Sequence, residues 1–197
     1  MNLDHIIQER IDEHLQVVGL LKNDSKFLTN LSEISNVITE CFKSGGKLLI
    51  CGNGGSAADS QHLATELVSR FFLERKALDA EALTVNTSTL TAVANDYSFD
   101  KVFSRQLEAK GKEGDVLLAI STSGNSKNII EAIKAAKSIG IKTIGFAGNN
   151  RDSLICKMSD YYVSIPSNST PRIQEAHILA GHIICEIVEG NLFKKRD

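Results

Sequence analysis

The chain has 197 residues, 42% of them hydrophobic and 23% charged, the make-up of a single globular domain with a real core. Its formal net charge is −2 with acidic and basic residues interspersed, which excludes the basic footprint of a nucleic-acid binder. No stretch approaches the roughly 20 apolar residues that span a bilayer, so neither nucleic acid nor a membrane is expected as a partner.

The N-terminal MNLDHIIQERIDEHLQ is charged throughout and lacks the apolar core of a signal peptide, which predicts a cytoplasmic protein. Cys41, Cys51, Cys156 and Cys185 are scattered in apolar surroundings, as small buried hydrophobes of a reducing compartment. Ile6, Ile7, Ile11, Leu15, Val18 and Leu21 fall at helical spacing, a second helix is predicted over about 30–43, and Gly45 and Gly46 stop it. Strand-length apolar runs then alternate with amphipathic segments. Strands are predicted at 47–51, 81–85, 116–120, 143–147 and 161–165, with helices over 57–72, 88–95, 99–110 and 127–139. Thr170 and Pro171 open a last helix as its N-cap and first residue. This alternation implies a parallel sheet with helices on both faces, whose ligands bind beyond the carboxyl ends of the strands.

Two turns stand at such ends. Gly52-Asn53-Gly54-Gly55-Ser56 removes side chains where the backbone bends or approaches a ligand, and the helix behind it favours an anion. The spacing fits neither the P-loop nor the dinucleotide fingerprint, and a tight turn without ligand remains an alternative. Ser121-Thr122-Ser123-Gly124-Asn125-Ser126 gathers four hydroxyls before a helix; one N-cap explains one of them. Ser121, Ser123 and Ser126 are the expected phosphate donors. With no lysine or arginine in the turn, a phosphomonoester suits it better than a nucleoside triphosphate.

GNGGSAADSQHLATEL, AVANDY, EGDVLLAISTSGNS and PRIQEAHILAGHIICEIVE, in that order over about residues 8–192, resemble the sugar-isomerase (SIS) domain. Within it they resemble the bacterial phosphoheptose isomerases. The resemblance implies a flavodoxin-like three-layer αβα sandwich with a five-stranded parallel sheet. It also implies one domain over 1–197 whose residues 1–45 form extra N-terminal helices, and a homotetramer with active sites near subunit interfaces.

The same resemblance carries zinc, one per subunit, to His62, Glu66, Gln174 and His182. His62 and Glu66 are four apart on one helix and share a face. Gln174 and His182 lie eight apart, about 12 Å along one helix, so some ligands are expected from a neighbouring chain. Glu66 is the expected base at carbon and His182 the acid at oxygen. Tight binding of zinc by Glu66 would weaken it as a base, and either role is open at this point. Asn95 and Asp96, expected in a loop after a helix, match sugar-contacting positions, and Asn53, Gly54, Gly55, Ser56, Thr122 and Gln174 complete the substrate set. Arg70 faces phosphate, a partner chain or solvent, and His177 is expected to be a core residue. The implied reaction converts sedoheptulose 7-phosphate to D-glycero-D-manno-heptose 7-phosphate through an enediol. Two alternatives remain: a non-catalytic SIS regulator of the bacterial replication initiator, or an isomerase of another small sugar phosphate. In the regulator the positions of Glu66 and His182 lack the acid and the imidazole.

Overall fold

Strands form where apolar runs are covered on both sides, and the computed structural model, which describes residues 2–194, buries every residue of the strands over 48–52 and 116–120. Met1 and residues 195–197 lie outside the described residues. In chain order the elements are α1 (Leu3–Lys22), α2 (Ser25–Lys43), β1 (Leu48–Gly52), α3 (Gly55–Val68), β2 (Ala80–Ala82) and α4 (Thr87–Asp96). A 3₁₀ turn (Phe99–Lys101) and α5 (Ser104–Lys110) follow, then β3 (Val116–Ile120), α6 (Lys127–Ile139) and β4 (Lys142–Ala147). The chain closes with α7 (Leu154–Met158), β5 (Tyr161–Ser164) and α8 (Thr170–Phe193).

The strands pair in parallel in the order β2-β1-β3-β4-β5, the flavodoxin-like arrangement. Alternate strand residues face opposite layers. Leu48, Ile50, Leu118, Ile120 and Phe146 pack on α2, α3 and α8, while Leu49, Cys51, Leu117 and Ala119 pack on α5, α6 and α7. The result is the expected three-layer sandwich with extra helices before it.

The differences from the sequence expectation are local. α2 begins at Ser25, because the Asp24 carboxylate accepts from the amides of Lys26 and Phe27. The expected helix over 99–110 is split at Val102 and Phe103. Ser169 occupies the N-cap position of α8, one residue earlier than expected and without a side-chain capping bond, which makes Thr170 its first residue. All four cysteines are buried and free. Burial pushes the Cys185 thiol up to about 12, with Glu66 adding to the effect. Among the described residues no helix is long and apolar enough to cross a membrane.

Candidate active site

β1 and β3 are neighbours, and from β1 the chain turns first toward β2 and later toward β3. This makes their carboxyl ends the switch point of the sheet, where such folds bind ligands. The glycine turn leaves β1 and the serine turn leaves β3, so both lie there.

Local sterics dictate the glycines. A Cβ on Gly52 would stand 2.4 Å from the carbonyl oxygen of Ser56, and Gly54 has φ +55°, open only to glycine at low cost. Gly54 occupies the N-cap position of α3, and no side chain caps that end of the helix. Asn53 holds the turn from the side: its amide and that of Asn128 exchange two hydrogen bonds of 2.9 Å. Asn128 sits in the first turn of α6, directly behind the serine turn, so this pair ties the two turns together.

In the serine turn, Ser121 Oγ lies 2.9 Å from Ser126 Oγ and 3.3 Å from Ser123 Oγ. Ser126 occupies the N-cap position of α6, yet its hydroxyl makes no capping bond. The three hydroxyls are therefore free to turn together toward an acceptor at the head of the helix. Gly124, at φ +68°, crosses Ser153 so closely that a Cβ would come within 2.5 Å of it. Asn125 braces the turn, donating to the Ser123 carbonyl and accepting from the Leu154 amide. Thr122 contributes its carbonyl to the Gly148 amide at 3.0 Å.

On the layer beside this turn, α3 and α8 bring three side chains together. His62 Nε2 is 2.7 Å from His182 Nε2 and 3.6 Å from Glu66 Oε1, and the ligand atoms of all three lie within 4.8 Å of one another. At 2.7 Å one imidazole nitrogen carries a proton and the other accepts it. Two imidazoles and a carboxylate with an open side are the donor set of a catalytic zinc site. Imidazole nitrogens on a tetrahedral zinc stand about 3.3 Å apart, so a small parting of the rings accommodates an ion.

Gln174 stands elsewhere. Its amide nitrogen lies 2.1 Å from where a Cβ on Gly55 would be, at the head of α3. His62 is seven residues, or about 10 Å of helix, further on. One chain thus brings three of the four expected ligand residues together, with the fourth, Gln174, at the head of α3. Asn95 and Asp96 are the last two residues of α4 and not part of a loop; the Asn95 amide donates to the Asp96 carboxylate at 2.8 Å. Ser56 is buried in the first turn of α3. Arg70 is exposed and only 3.9 Å from Glu74.

Three residues near the site, Asp59, Asn128 and Glu189, are not among those expected from the sequence. Asp59, one turn before His62, has a buried Oδ2 without a partner, and burial pushes its carboxyl up to about 6 against the pull of His62. Asn128 is one, and a helix-face pattern could have found Asp59 but not Asn128. Glu189, on α8, holds the segment after α3 and meets it across more than a hundred residues of chain.

A doubly wound sheet with a hydroxyl-lined turn at its switch point defines a phosphosugar-binding SIS-type protein, and a family model described as the SIS domain matches residues 20–148. The phosphoheptose isomerase of Clostridium acetobutylicum is 50% identical over 196 residues, covering 98% of each chain. That of Synechocystis is 50% identical over 190 residues, covering 96% of this chain and 97% of its own. The solved structure of the phosphoheptose isomerase from Neisseria gonorrhoeae superposes with a TM-score of 0.89 at 38% identity, covering 96% of this chain and 100% of that one. The chain belongs to the phosphoheptose isomerase family.

Proposed function

We propose that this protein isomerises sedoheptulose 7-phosphate to D-glycero-D-manno-heptose 7-phosphate, an early step in making an activated heptose. The observation that carries the reading is the meeting of Glu66 with His62 and His182 in one chain, on helices that start at or pass the two anion-favouring turns.

In this reading the Ser121, Ser123 and Ser126 hydroxyls and the head of α6 hold the phosphate. Asn53, Gly54, Gly55, Ser56, Thr122, Asn95, Asp96 and Gln174 line the sugar. Glu66 takes a proton from C1 of the ketose while His182 protonates O2 and then accepts the O1 proton. The enediol collapses when Glu66 returns its proton to C2, which yields the aldose with no net change in protons. His62, Glu66 and His182 would hold one zinc per subunit, and a bound ion supplies Lewis-acid polarisation of the carbonyl oxygen. Gln174, the fourth residue that the family resemblance gives to the ion, faces the sugar from the head of α3.

The protein is read as cytoplasmic, as one domain over 1–197, and as a homotetramer with residues 1–45 at the interface. Leu3, Ile7, Ile11 and Leu15 form an exposed stripe along α1 that supports this. The retained Glu66 and His182 favour an enzyme over the initiator-binding regulator.

The test is NMR of sedoheptulose 7-phosphate in deuterated water with the purified protein. Expected is conversion with deuterium entering at C2, lost on chelation and restored by zinc. Glu66→Gln should lower kcat by about 10²–10⁴-fold with fold intact. Absence of both exchange and conversion in the zinc-loaded protein would remove the isomerase reading.

A further inference from the structure

The triad exists only while α3 and α8 keep one spacing, since His62 and Glu66 ride on the first and His182 on the second. Two contacts bear on that spacing. At Gly181, next to His182, a Cβ would stand 2.5 Å from Leu63 Cδ2 and 2.8 Å from its Cδ1. Leu63 is the neighbour of His62 and is buried. A side chain at 181 would push the Leu63 side chain out of its present place between the helices.

The second contact is ionic. Arg75 and Glu189 both have side chains 2% exposed, with Arg75 Nε donating to Glu189 Oε1 at 3.0 Å. Glu189 Oε1 also accepts from the Phe71 amide at 3.0 Å, and Oε2 accepts from those of Phe72 at 2.8 Å and Leu73 at 3.0 Å. Burial alone would raise the Glu189 carboxyl, but these donors outweigh it and hold it below the ordinary range. Arg75 Nη2 donates to the carbonyl of Glu66 itself at 2.9 Å, and Nη1 to those of Leu67 at 2.6 Å and Ser69 at 2.8 Å. The orphan carbonyls that end α3 are thus gathered by one guanidinium.

A buried pair is weak evidence for stability, because an apolar pair of equal volume packs as well. An apolar pair cannot grip three carbonyls and three amides. Glu189 lies seven residues after His182, two turns on, and therefore on the same stripe of α8. One end of the brace holds the backbone of Glu66, and the other holds the helix face that presents His182.

We infer that the Arg75–Glu189 pair, with the Gly181–Leu63 contact beside it, is a positioning brace that sets the α3–α8 spacing and holds Glu66 and His62 against His182. This rests on the reading of those three residues as the metal-holding, catalytic centre. Arg75→Lys keeps the charge but gives up the fork that reaches the Glu66 carbonyl.

The experiment titrates cobalt(II) into the full-length metal-free protein against a chromogenic chelator, with circular dichroism and kinetics on the same samples. For Arg75→Lys and Glu189→Gln, the expected result is a native spectrum, cobalt affinity about 10–100-fold weaker, and kcat lowered with KM unchanged. KM should hold because the serine turn lies outside the brace. Wild-type affinity and kcat in a folded Arg75→Lys protein overturn the inference, as does a loss of thermal stability with affinity retained. Should neither variant fold, Gly181→Ala alone and combined with Leu63→Val decide. Affinity should fall in the single variant and recover in the double, and an unchanged affinity in Gly181→Ala overturns the brace. If the wild-type protein binds no cobalt, the reading of the triad falls first.

Discussion

His177 and His182 stand five residues apart on α8 in opposite surroundings. His182 meets His62 at a partly open site, whereas His177 is 1% exposed, against Phe146, with Nε2 3.2 Å from the Ala147 carbonyl. That contact requires the proton on Nε2, and leaves Nδ1 buried without a partner. Burial therefore pushes the imidazole down to about 4, with the Ala147 carbonyl only partly opposing it. The sign follows from linkage. As pH falls below about 6.5, the unfolded chain takes up this proton first. Stability that is fully present above that value is lost on the way to pH 4, by about 3 kcal/mol from this group alone. His177→Gln keeps a donor for Ala147 and does not titrate, so its urea midpoint should fall less between about pH 7 and about pH 4.5 than that of the wild type. An equal fall in both would clear His177 of the effect. The sequence supports the assignment of His177 to the core, because apolar neighbours at helical spacing surround it. His62 and Glu66 are legible for a similar reason, since four residues on a helix is a contact. Asn128 and Glu189 are not, because their partners lie 75 and more than 110 residues away.

Whole elements are legible where composition and period agree. β1 and β3 are continuous apolar runs between polar turns, and α6 ends at Gly140, which adopts φ +86°. The five-residue α7 is too short to show a period and has no sequence counterpart. β2 is only three residues at the edge of the sheet, and it occupies 80–82 where the apolar pattern suggests 81–85. The two turns at the switch point are legible one at a time, but their connection is not. Asn53 and Asn128 make them one unit, and this can be tested without touching a hydroxyl. Asn128→Asp sets a carboxylate oxygen against Asn53 Oδ1, which breaks one of the two bonds, and adds a negative charge beside the proposed phosphate. The helix head favours that charge, but Asn128 is buried, so thermal stability should fall somewhat while the fold is kept. KM for the sugar phosphate should rise about tenfold or more, a change of about 1.4 kcal/mol, with a smaller change in kcat. A variant with native KM would show that the turns act independently.

The whole molecule poses a question in α1, where the sequence pattern and the protomer disagree. Period alone marks Ile7, Ile11 and Leu15 as a buried stripe, yet they are 57%, 55% and 60% exposed, and Leu3 extends the row. Only Val17 and Leu21 of this 20-residue helix are buried. What else ties α1 down is polar: His14 meets Glu175 at 2.7 Å, and Arg172 donates to the Arg10 carbonyl at 2.8 Å. Residues four apart drift by about 40° around a helix, so the four side chains form a slowly winding apolar strip that water would not leave uncovered without cost. Fully burying such a side chain contributes about 1.5–3 kcal/mol, so the strip can supply much of the free energy of an assembly. Ile7→Lys with Ile11→Lys should therefore lower the mass measured by light scattering at micromolar concentration. Helix content should stay intact, because neither residue is buried within the protomer. A wild-type monomer would remove the tetramer, and an unaltered tetramer in the double variant would move its interface off α1. The same measurement bears on the site, since α8 carries both His182 and the residues that hold α1. If dissociation also lowers kcat while the melting temperature of the protomer is kept, the contact through α1 is part of what completes the catalytic arrangement.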